Sequence, residues 1–424
     1  MHKARRTIWL VGLTALALGL LPVLAGAGAC NSRSTFYVPK ADTGATQQIV
    51  SLIRHHDFKN AALLEKMVSK GHAVWFTSGT PAEVQRAVKT TMQKARAKRS
   101  VPVLVAYNLP FRDCGQYSAG GALNTADYLA WINGFAEGIG SGEAIVILEP
   151  DGLGIIPYNT NLDGSTDWCQ PDLTGTGLTP EQANQARYDQ LNSAVDRLEQ
   201  NSNASVYLDG THSGWLNVGE ASHRLVKAGV NRAEGFYLNT SNYQYTSNLV
   251  QYGTWVSQCI ADGNYAGCPN QYWNGGPPDW NGTALTPYGQ WSDTATTLNL
   301  STAGINARYA GYPAGTTHFV IDTGRNGLGP WDYSSKYPDA GTAQDWCNPP
   351  GRGLGIAPTT NTGNALVDAY LWVKVPGESD GSCNRSVAGS TTDPEWGGIV
   401  DPAAGAWFPQ QALQLAQLAS PTLH

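Results

Sequence analysis

Five apolar runs of this 424-residue chain end in carboxylates. Ile145-Val-Ile-Leu-Glu-Pro-Asp151 is the plainest, because a β-branched run stops at an acid, a proline and a second acid. Such a run reads as a buried parallel strand. Pro150 has no N–H to give to a ladder and ends it. Asp151 therefore falls where a strand opens into a loop. Val101-Pro-Val-Leu-Val-Ala-Tyr107 leads in the same way to Arg112-Asp113-Cys114, and Ser205-Val-Tyr-Leu208 leads to Asp209. Phe319-Val-Ile321 leads to Asp322, and Leu371-Trp-Val-Lys374 to Glu378 and Asp380. The carboxyl ends of strands are where α/β proteins place their chemistry, so the pattern predicts several acids converging on one cleft. One acid kept protonated can donate to a leaving oxygen while another group manages water. Any one of these acids alone reads as a helix cap or surface charge; five at strand ends do not.

The aromatic content points the same way. The chain holds 14 Trp and 19 Tyr, and indole faces pack on the apolar faces of sugar rings. Carboxylates with aromatics suit cleavage of a glycosidic bond. Other chemistries lack their motifs. Gly210-Thr-His-Ser213-Gly214 misses the spacing of a nucleophile elbow. His55-His56-Asp57 reads as a solvated helix end, and no His pair has zinc spacing. Gly351-Arg-Gly353-Leu-Gly355 follows no clear strand, so it is a poor phosphate loop. No cofactor and no metal are expected. Nothing basic marks a nucleic-acid partner.

The acids must be held by strands and helices in alternation. Thr80-Pro-Ala-Glu83 carries an N-cap threonine, a proline at the first helical position and a glutamate three residues after the cap. It predicts a helix to about Lys98. Thr179-Pro-Glu-Gln182 predicts another to about Gln200, and Ala126–Ile139 has helical apolar spacing. Between them fall strands at Ala73–Phe76, 101–107, 144–149 and 204–208. This order predicts a parallel α/β architecture, with enough units for a barrel with enlarged loops. The aromatic stretch 271–280 is the clearest long loop.

The N-terminus reads as an export signal. Lys3, Arg5 and Arg6 precede an apolar run from Ile8 to about Leu24, then Ala25-Gly-Ala-Gly-Ala29. Residues 1–29 are expected to be a cleaved signal peptide and 30–424 a single catalytic domain, secreted and monomeric, with no membrane-spanning helix after cleavage. Cleavage removes three basic residues and no acid, so the net charge of −6 becomes −9. Cys30 follows the small-residue run. It is either a lipidated first residue anchoring the protein at the cell surface or a free thiol near a frayed end. Ala27 stands where lipoprotein signals usually carry a larger aliphatic residue. The other six cysteines suit three disulfides in an exported protein.

Tyr107-Asn-Leu-Pro-Phe-Arg112-Asp113-Cys114-Gly-Gln-Tyr-Ser-Ala-Gly-Gly closely resembles the first signature of glycoside hydrolase family 6, and Val146-Ile-Leu-Glu149-Pro150-Asp151-Gly-Leu-Gly resembles the second. Six further matches follow in family order. They are Ala73-Val-Trp75-Phe, Asp209-Gly-Thr-His212-Ser-Gly-Trp215, Leu238-Asn239 with Ser241-Asn242-Tyr243, Asp322-Thr-Gly-Arg325-Asn326-Gly, Asp345-Trp346-Cys347-Asn and Trp372-Val-Lys374-Val-Pro-Gly-Glu378-Ser-Asp380-Gly. They span nearly the whole chain after the leader.

The resemblance implies a distorted, incomplete parallel β/α barrel of about seven strands that hydrolyses β-1,4-glucan with inversion. Asp151 is then the general acid, with Asp113 as the neighbouring anion and proton relay. Arg112 and Cys114 fix the loop of Asp113. Asp380 matches the family's proposed base, acting directly or through water. In an inverting site acid and base stand roughly 6.5–9.5 Å apart. Tyr107 presses on the sugar at the cleavage point, and Trp75, Trp215 and Trp346 are stacking platforms. His212, Asn239, Lys374 and Glu378 bind sugar hydroxyls, and Asp209 orients. The family bridges imply Cys114–Cys169 and Cys347–Cys383. Cys259–Cys268 rests on sequence proximity alone, and other states of those two thiols stay open.

Departures bear on substrate. Val218 stands where some cellobiohydrolases have a second tryptophan, and Ala119 replaces a loop serine. The long stretches 241–316 and Asp380–Phe408 resemble members whose loops roof a tunnel. They favour cellobiohydrolase-like action on chain ends over endo-β-1,4-glucanase action. A surface lipoprotein acting on envelope or biofilm glucan is an alternative setting for the same chemistry.

Overall fold

The computed structural model describes residues 35–269, 290–291 and 302–424. The leader, Cys30 and the loop 271–280 lie outside the described residues. In chain order the elements are α1 (Thr43–Arg54), α2 (Phe58–Val68), β1 (Val74–Phe76), α3 (Pro81–Ala97), β2 (Val103–Ala106), α4 (Thr125–Ile139), β3 (Ala144–Leu148), α5 (Pro180–Leu198), β4 (Ala204–Asp209), α6 (Val218–Lys227), β5 (Gly235–Leu238), α7 (Thr246–Asp262), α8 (Thr302–Arg308), β6 (His318–Asp322), the short α9 (Ala340–Ala343), β7 (Val367–Leu371) and α10 (Pro409–Gln417). The predicted caps set helix starts. Thr80 and Glu83 exchange hydrogen bonds at the head of α3, as do Thr179 and Gln182 at the head of α5. His55 closes α1, His56 turns with φ 61°, and Asp57 caps α2, so that triplet is a helix junction.

Among the described residues seven strands lie in sequence order in one sheet, and every neighbouring pair is parallel. The sheet curls into a distorted α/β barrel. Its two edges approach where Ala73 N–H donates to Trp372 C=O at 2.9 Å and the Trp75 indole N–H to Val373 C=O at 2.8 Å. Alternate side chains face inward, as a strand's period of two dictates. Val105, Ile147, Tyr207, Tyr237, Val320 and Leu371 fill the interior with Ala73 and Tyr107. The intervening residues Leu104, Val146, Val206, Phe236 and Phe319 face the outer helices in the main core. Burial on both faces explains why the strands read as unbroken apolar runs. A third cluster joins α1, α2 and α10 to Trp372 and Leu354, beside the seam between β7 and β1.

One strand differs from the sequence reading. The run Leu371–Lys374 is not a strand of its own, because β7 ends at Leu371. The N–H groups of Val373 and Lys374 go to the Asp322 carboxylate at 3.2 and 2.9 Å instead of a ladder. Asp322 also accepts from Ser241 and Gly324, so this acid ties together the loops leaving β5, β6 and β7. Among the described residues no helix is long and apolar enough to cross a membrane.

Gly235 begins β5 where it is pressed against β6, and a Cβ there would lie 2.0 Å from the His318 carbonyl oxygen. Backbone cannot swing aside as a side chain does. Gly235→Ala is expected to cost about 1–3 kcal/mol, read as a lower urea midpoint with unchanged slope.

Candidate active site

The turn after β3 is built on two left-handed residues, Glu149 (φ 54°) and Asp151 (φ 63°). Glu149 turns inward and is fully buried. Its Oε2 accepts from the N–H groups of Asn108 and Leu109, which joins the end of β3 to the end of β2. Burial pushes its carboxyl up to about 7, against the pull of those donors and of Arg187. The Arg187 guanidinium grips the same turn through the carbonyls of Gly152, Ile155 and Pro110. Asp151 is thereby set at the barrel mouth, half-buried. Among the described residues no hydrogen bond reaches its carboxyl. Burial, then the charges of Asp209, Asp113 and Asp380, push it well above the usual carboxylate range, and Lys374 only partly opposes them.

Those neighbours are fixed in different ways. Asp209, the last residue of β4, accepts backbone N–H bonds from Thr211 at 2.8 Å, Leu153 at 3.2 Å and Gly154 at 3.3 Å. It holds the residues just after Asp151, and burial raises its carboxyl to about 6. Asp113 sits on a loop with φ 55° and is followed by Cys114 at φ 47°. Its Oδ2 accepts from the Ser118 N–H at 2.8 Å and the Ser118 hydroxyl at 2.9 Å. Burial raises its carboxyl against those bonds and Arg112. Arg112 binds the carbonyls of Thr77, Tyr107, Ser118 and Ala119, and its guanidinium lies 4.6 Å from the Tyr107 ring centre. The Tyr107 hydroxyl meets Ser118 at 3.0 Å. Among the described residues three disulfides are formed, Cys114–Cys169, Cys259–Cys268 and Cys347–Cys383. The first braces the Asp113 loop.

Asp380 has the densest surroundings. Arg325 grips it with two N–H bonds of 2.8 and 2.9 Å. The Tyr243 hydroxyl donates at 3.0 Å and the Asn348 N–H at 2.9 Å, and the Lys374 ammonium stands at 3.6 Å. Burial would raise this carboxyl, but Arg325 and Lys374 overcome it and hold it below its ordinary value. Three of these hydrogen bonds go to Oδ2 and one to Oδ1, the oxygen that Lys374 also faces. Arg325, Tyr243, Asn348 and Ser118 were assigned no role from sequence, although each lies inside a quoted motif.

The residues expected to bind sugar fall into two groups. Trp346 is 37% exposed, which suits a platform. Trp75 is half-buried and meets Tyr107 edge to face at 5.5 Å. Trp215 lies over Gly154, two residues past the Asp151–Gly152 turn, with His212 beside it at 5.7 Å. His212 accepts the Gly214 N–H at Nδ1, and burial lowers its pKa to about 3, so it is neutral. Lys374 donates to the Ser379 carbonyl, and burial lowers its pKa. Burial raises the Glu378 carboxyl to about 7. Glu378, Trp75, Trp407, Asp42 and His72 line a cavity of 260 Å³. Asn239, expected to bind a sugar hydroxyl, is engaged by the protein itself. It is fully buried, its Nδ2 donates to the carbonyls of Asp322 and Asn242, and its Oδ1 accepts from Gln244. It braces its loop and has no surface for a ligand.

The loop carrying Asp113 also touches the loop carrying Asp380. The Tyr117 hydroxyl accepts from Gln344 Nε2 at 3.0 Å, and a Cβ on Gly381 would lie 2.7 Å from Tyr117 Cβ.

Residues 31–419 match the family model described as Glycosyl hydrolases family 6. Endoglucanase A of Cellulomonas fimi is 32% identical over 84% of this chain and 56% of its own length. The probable 1,4-beta-D-glucan cellobiohydrolase C of Aspergillus terreus is 32% identical over 75% of this chain and 59% of its own length. The chain thus spans little more than half of those two relatives. The solved endoglucanase Cel6 of Mycobacterium tuberculosis, in complex with a thio-linked methyl-cellobiosyl cellobioside, is 31% identical, with a TM-score of 0.62 over 93% of this chain and 99% of that one.

Replacing Arg325 by Met would leave the Asp380 charge buried with Lys374 as its one nearby cation. Breaking such a pair costs about 3–5 kcal/mol. Asp380 is held below its ordinary pKa, so its stabilising effect is present above the unfolded value of about 3.9 and fades as pH falls through the folded value. Urea unfolding is expected to show a wide gap between wild type and Arg325→Met at neutral pH that narrows in acid. A gap independent of pH would mean that packing, not charge, was lost.

Proposed function

The chain belongs to glycosyl hydrolase family 6, and from that premise we propose that it hydrolyses the β-1,4-glucosidic bonds of cellulose with inversion. Asp151 gives its proton to the leaving oxygen as the bond to the anomeric carbon breaks. Water attacks that carbon from the opposite face and loses a proton to a carboxylate, so the enzyme must be reset by one proton transfer per turnover. One observation carries this reading: a half-buried carboxyl with no hydrogen-bond donor among the described residues and three anions acting on it. Such a group stays protonated near neutral pH.

The water's proton needs an acceptor with an open lone pair. Asp380 is crowded by donors at Oδ2, and Arg325 and Lys374 lower its basicity, which favours a role in fixing the site and its field. Asp113 uses one oxygen for Ser118, and Oδ1 takes no bond from the described residues. It is the better final acceptor, reached through water. Trp75, Trp215 and Trp346 stack the glucan, and Lys374, Glu378 and neutral His212 meet hydroxyls. The leader and the disulfides support export.

Relatives named endoglucanase and cellobiohydrolase both match this chain. Contact of Tyr117 with Gln344 and Gly381 favours action at chain ends, because two loops that meet across a groove hinder entry from the side.

Asp151→Asn is expected to lower turnover of cellotetraose on the order of 10²–10⁴-fold while the sugar still binds. Near-normal turnover would remove the assignment. Proton NMR of fresh product should show the α-anomer first; an initial β-anomer would contradict inversion. Tyr117→Ala should raise viscosity loss relative to cellobiose release on soluble cellulose derivatives. An unchanged ratio would mean that the loop contact does not control access.

A further inference from the structure

Beneath the Asp380 loop lies a second pair of acids. Asp393 is fully buried and gripped by Arg385, with Nε–Oδ1 at 3.0 Å and Nη2–Oδ2 at 2.6 Å. Asp401 is 1% exposed, and its Oδ2 accepts from Asn348 Nδ2 at 2.9 Å. Its buried Oδ1 meets no donor among the described residues. Ligand atoms of Asp393, Asp401 and Cys383 lie within 4.8 Å of one another. Cys383 is bonded to Cys347, so this is a pair of carboxyls and not a thiolate site.

Two ionised carboxylates cannot share so small a buried space without a cation for each. Arg385 is committed to Asp393, and its other N–H groups go to the carbonyls of Ala343, Gln344, Cys347 and Asn348. Arg385 acts on the Asp401 charge as well, but among the described residues none of its N–H groups reaches that carboxyl, whose one bonded donor is neutral. Segment 344–348 presents Asn348, and α10 presents Gln411, which donates to the Asn348 side chain. Glu395 is spent on Lys336 and Tyr337. A proton on Asp401 resolves the conflict, since its O–H becomes the donor that Asp393 accepts.

Asn348 relays this to the site. Its side-chain carbonyl accepts the Asp380 N–H at 2.8 Å, and its own N–H donates to Asp380 Oδ2 at 2.9 Å. Its Nδ2 divides between Asp401, the Ser379 hydroxyl and the Gly381 carbonyl. We propose that Asp401 is a positioning residue: protonated and hydrogen-bonded to Asp393, it orients Asn348 and through it the Asp380 carboxylate. The proposal rests on the reading of Asp380 as part of the active site.

Burial and then Asp393 raise the Asp401 carboxyl to about 7, against the bond from Asn348 and the charge of Arg385. A carboxyl that binds its proton more tightly when folded loses stability as pH rises from the unfolded value of about 3.9 to the folded one. Above that pH the paired arrangement breaks. Asparagine at 401 donates to Asp393 and accepts from Asn348 at every pH.

The test compares wild type, Asp401→Asn and Asp401→Ala in two assays. In thermal unfolding without substrate, wild type should lose stability between about pH 4 and pH 7 relative to Asp401→Asn, and the two should converge in acid. In cellotetraose hydrolysis, Asp401→Asn should match wild type at acid pH and move the alkaline limb up by about one pH unit or more. Asp401→Ala should lower kcat several-fold at all pH with KM little changed. Superimposable pH–stability curves for wild type and Asp401→Asn would overturn the shared proton. Asp401→Asn as impaired as Asp401→Ala at acid pH would overturn the positioning role. The unfolding assay needs no activity, so it separates failure of this proposal from failure of the functional reading.

Discussion

The site depends on how a few hydrogen-bond donors are divided among many buried acids. Asp322 takes four backbone N–H groups and Asp209 three. Asp380 takes Arg325, Tyr243 and Asn348, and Asp113 takes Ser118. Asp151 takes none from the described residues. A buried carboxylate with donors can stay ionised, and one without them in the field of others cannot. With no donor to offset them, burial and the neighbouring anions push the Asp151 carboxyl well above the usual carboxylate range. Burial is the largest cause, and the anions around it add to the shift.

The fold makes this division stable. Strand ends bring the acids within one another's field, while the turns beyond them supply backbone N–H groups. Non-glycine residues at positive φ gather at the mouth, with Phe111, Asp113, Cys114, Glu149, Asp151, Asn239 and Ser241 among them. Each such residue costs of order 1–3 kcal/mol. The Arg112 and Arg187 grips and the Cys114–Cys169 bridge hold the turns after β2 and β3 in that shape. Rigidity here is electrostatic in purpose, because a carboxyl that could swing into water would lose its raised pKa.

Much of this was legible in the sequence. Apolar runs broken by Glu-Pro-Asp and Arg-Asp-Cys located the strand ends, and the threonine caps located helix starts. Asp151, Asp113 and Asp380 converge as the runs implied. The partners of the acids were not legible. Arg325 is 55 residues from Asp380 and Asn348 is 32, and nothing local announces either contact. The bonds of Asn239 to its own loop were not legible either, because a polar residue after a strand looks the same whether it faces a ligand or braces a turn. Leu371–Lys374 looked like a strand because its backbone partner is a side chain, Asp322, which hydrophobic pattern does not reveal.

The central claim is that Asp151 holds its proton to near neutral pH because donors go to its neighbours. Carbon NMR of protein labelled at aspartate carboxyls measures this directly, with Asp151→Asn to assign the signal. The account predicts an aspartate resonance still in its protonated position at about pH 6, well above the ordinary value of about 3.9, and missing from Asp151→Asn. A signal assigned in that way that titrates fully below about pH 5 would contradict it.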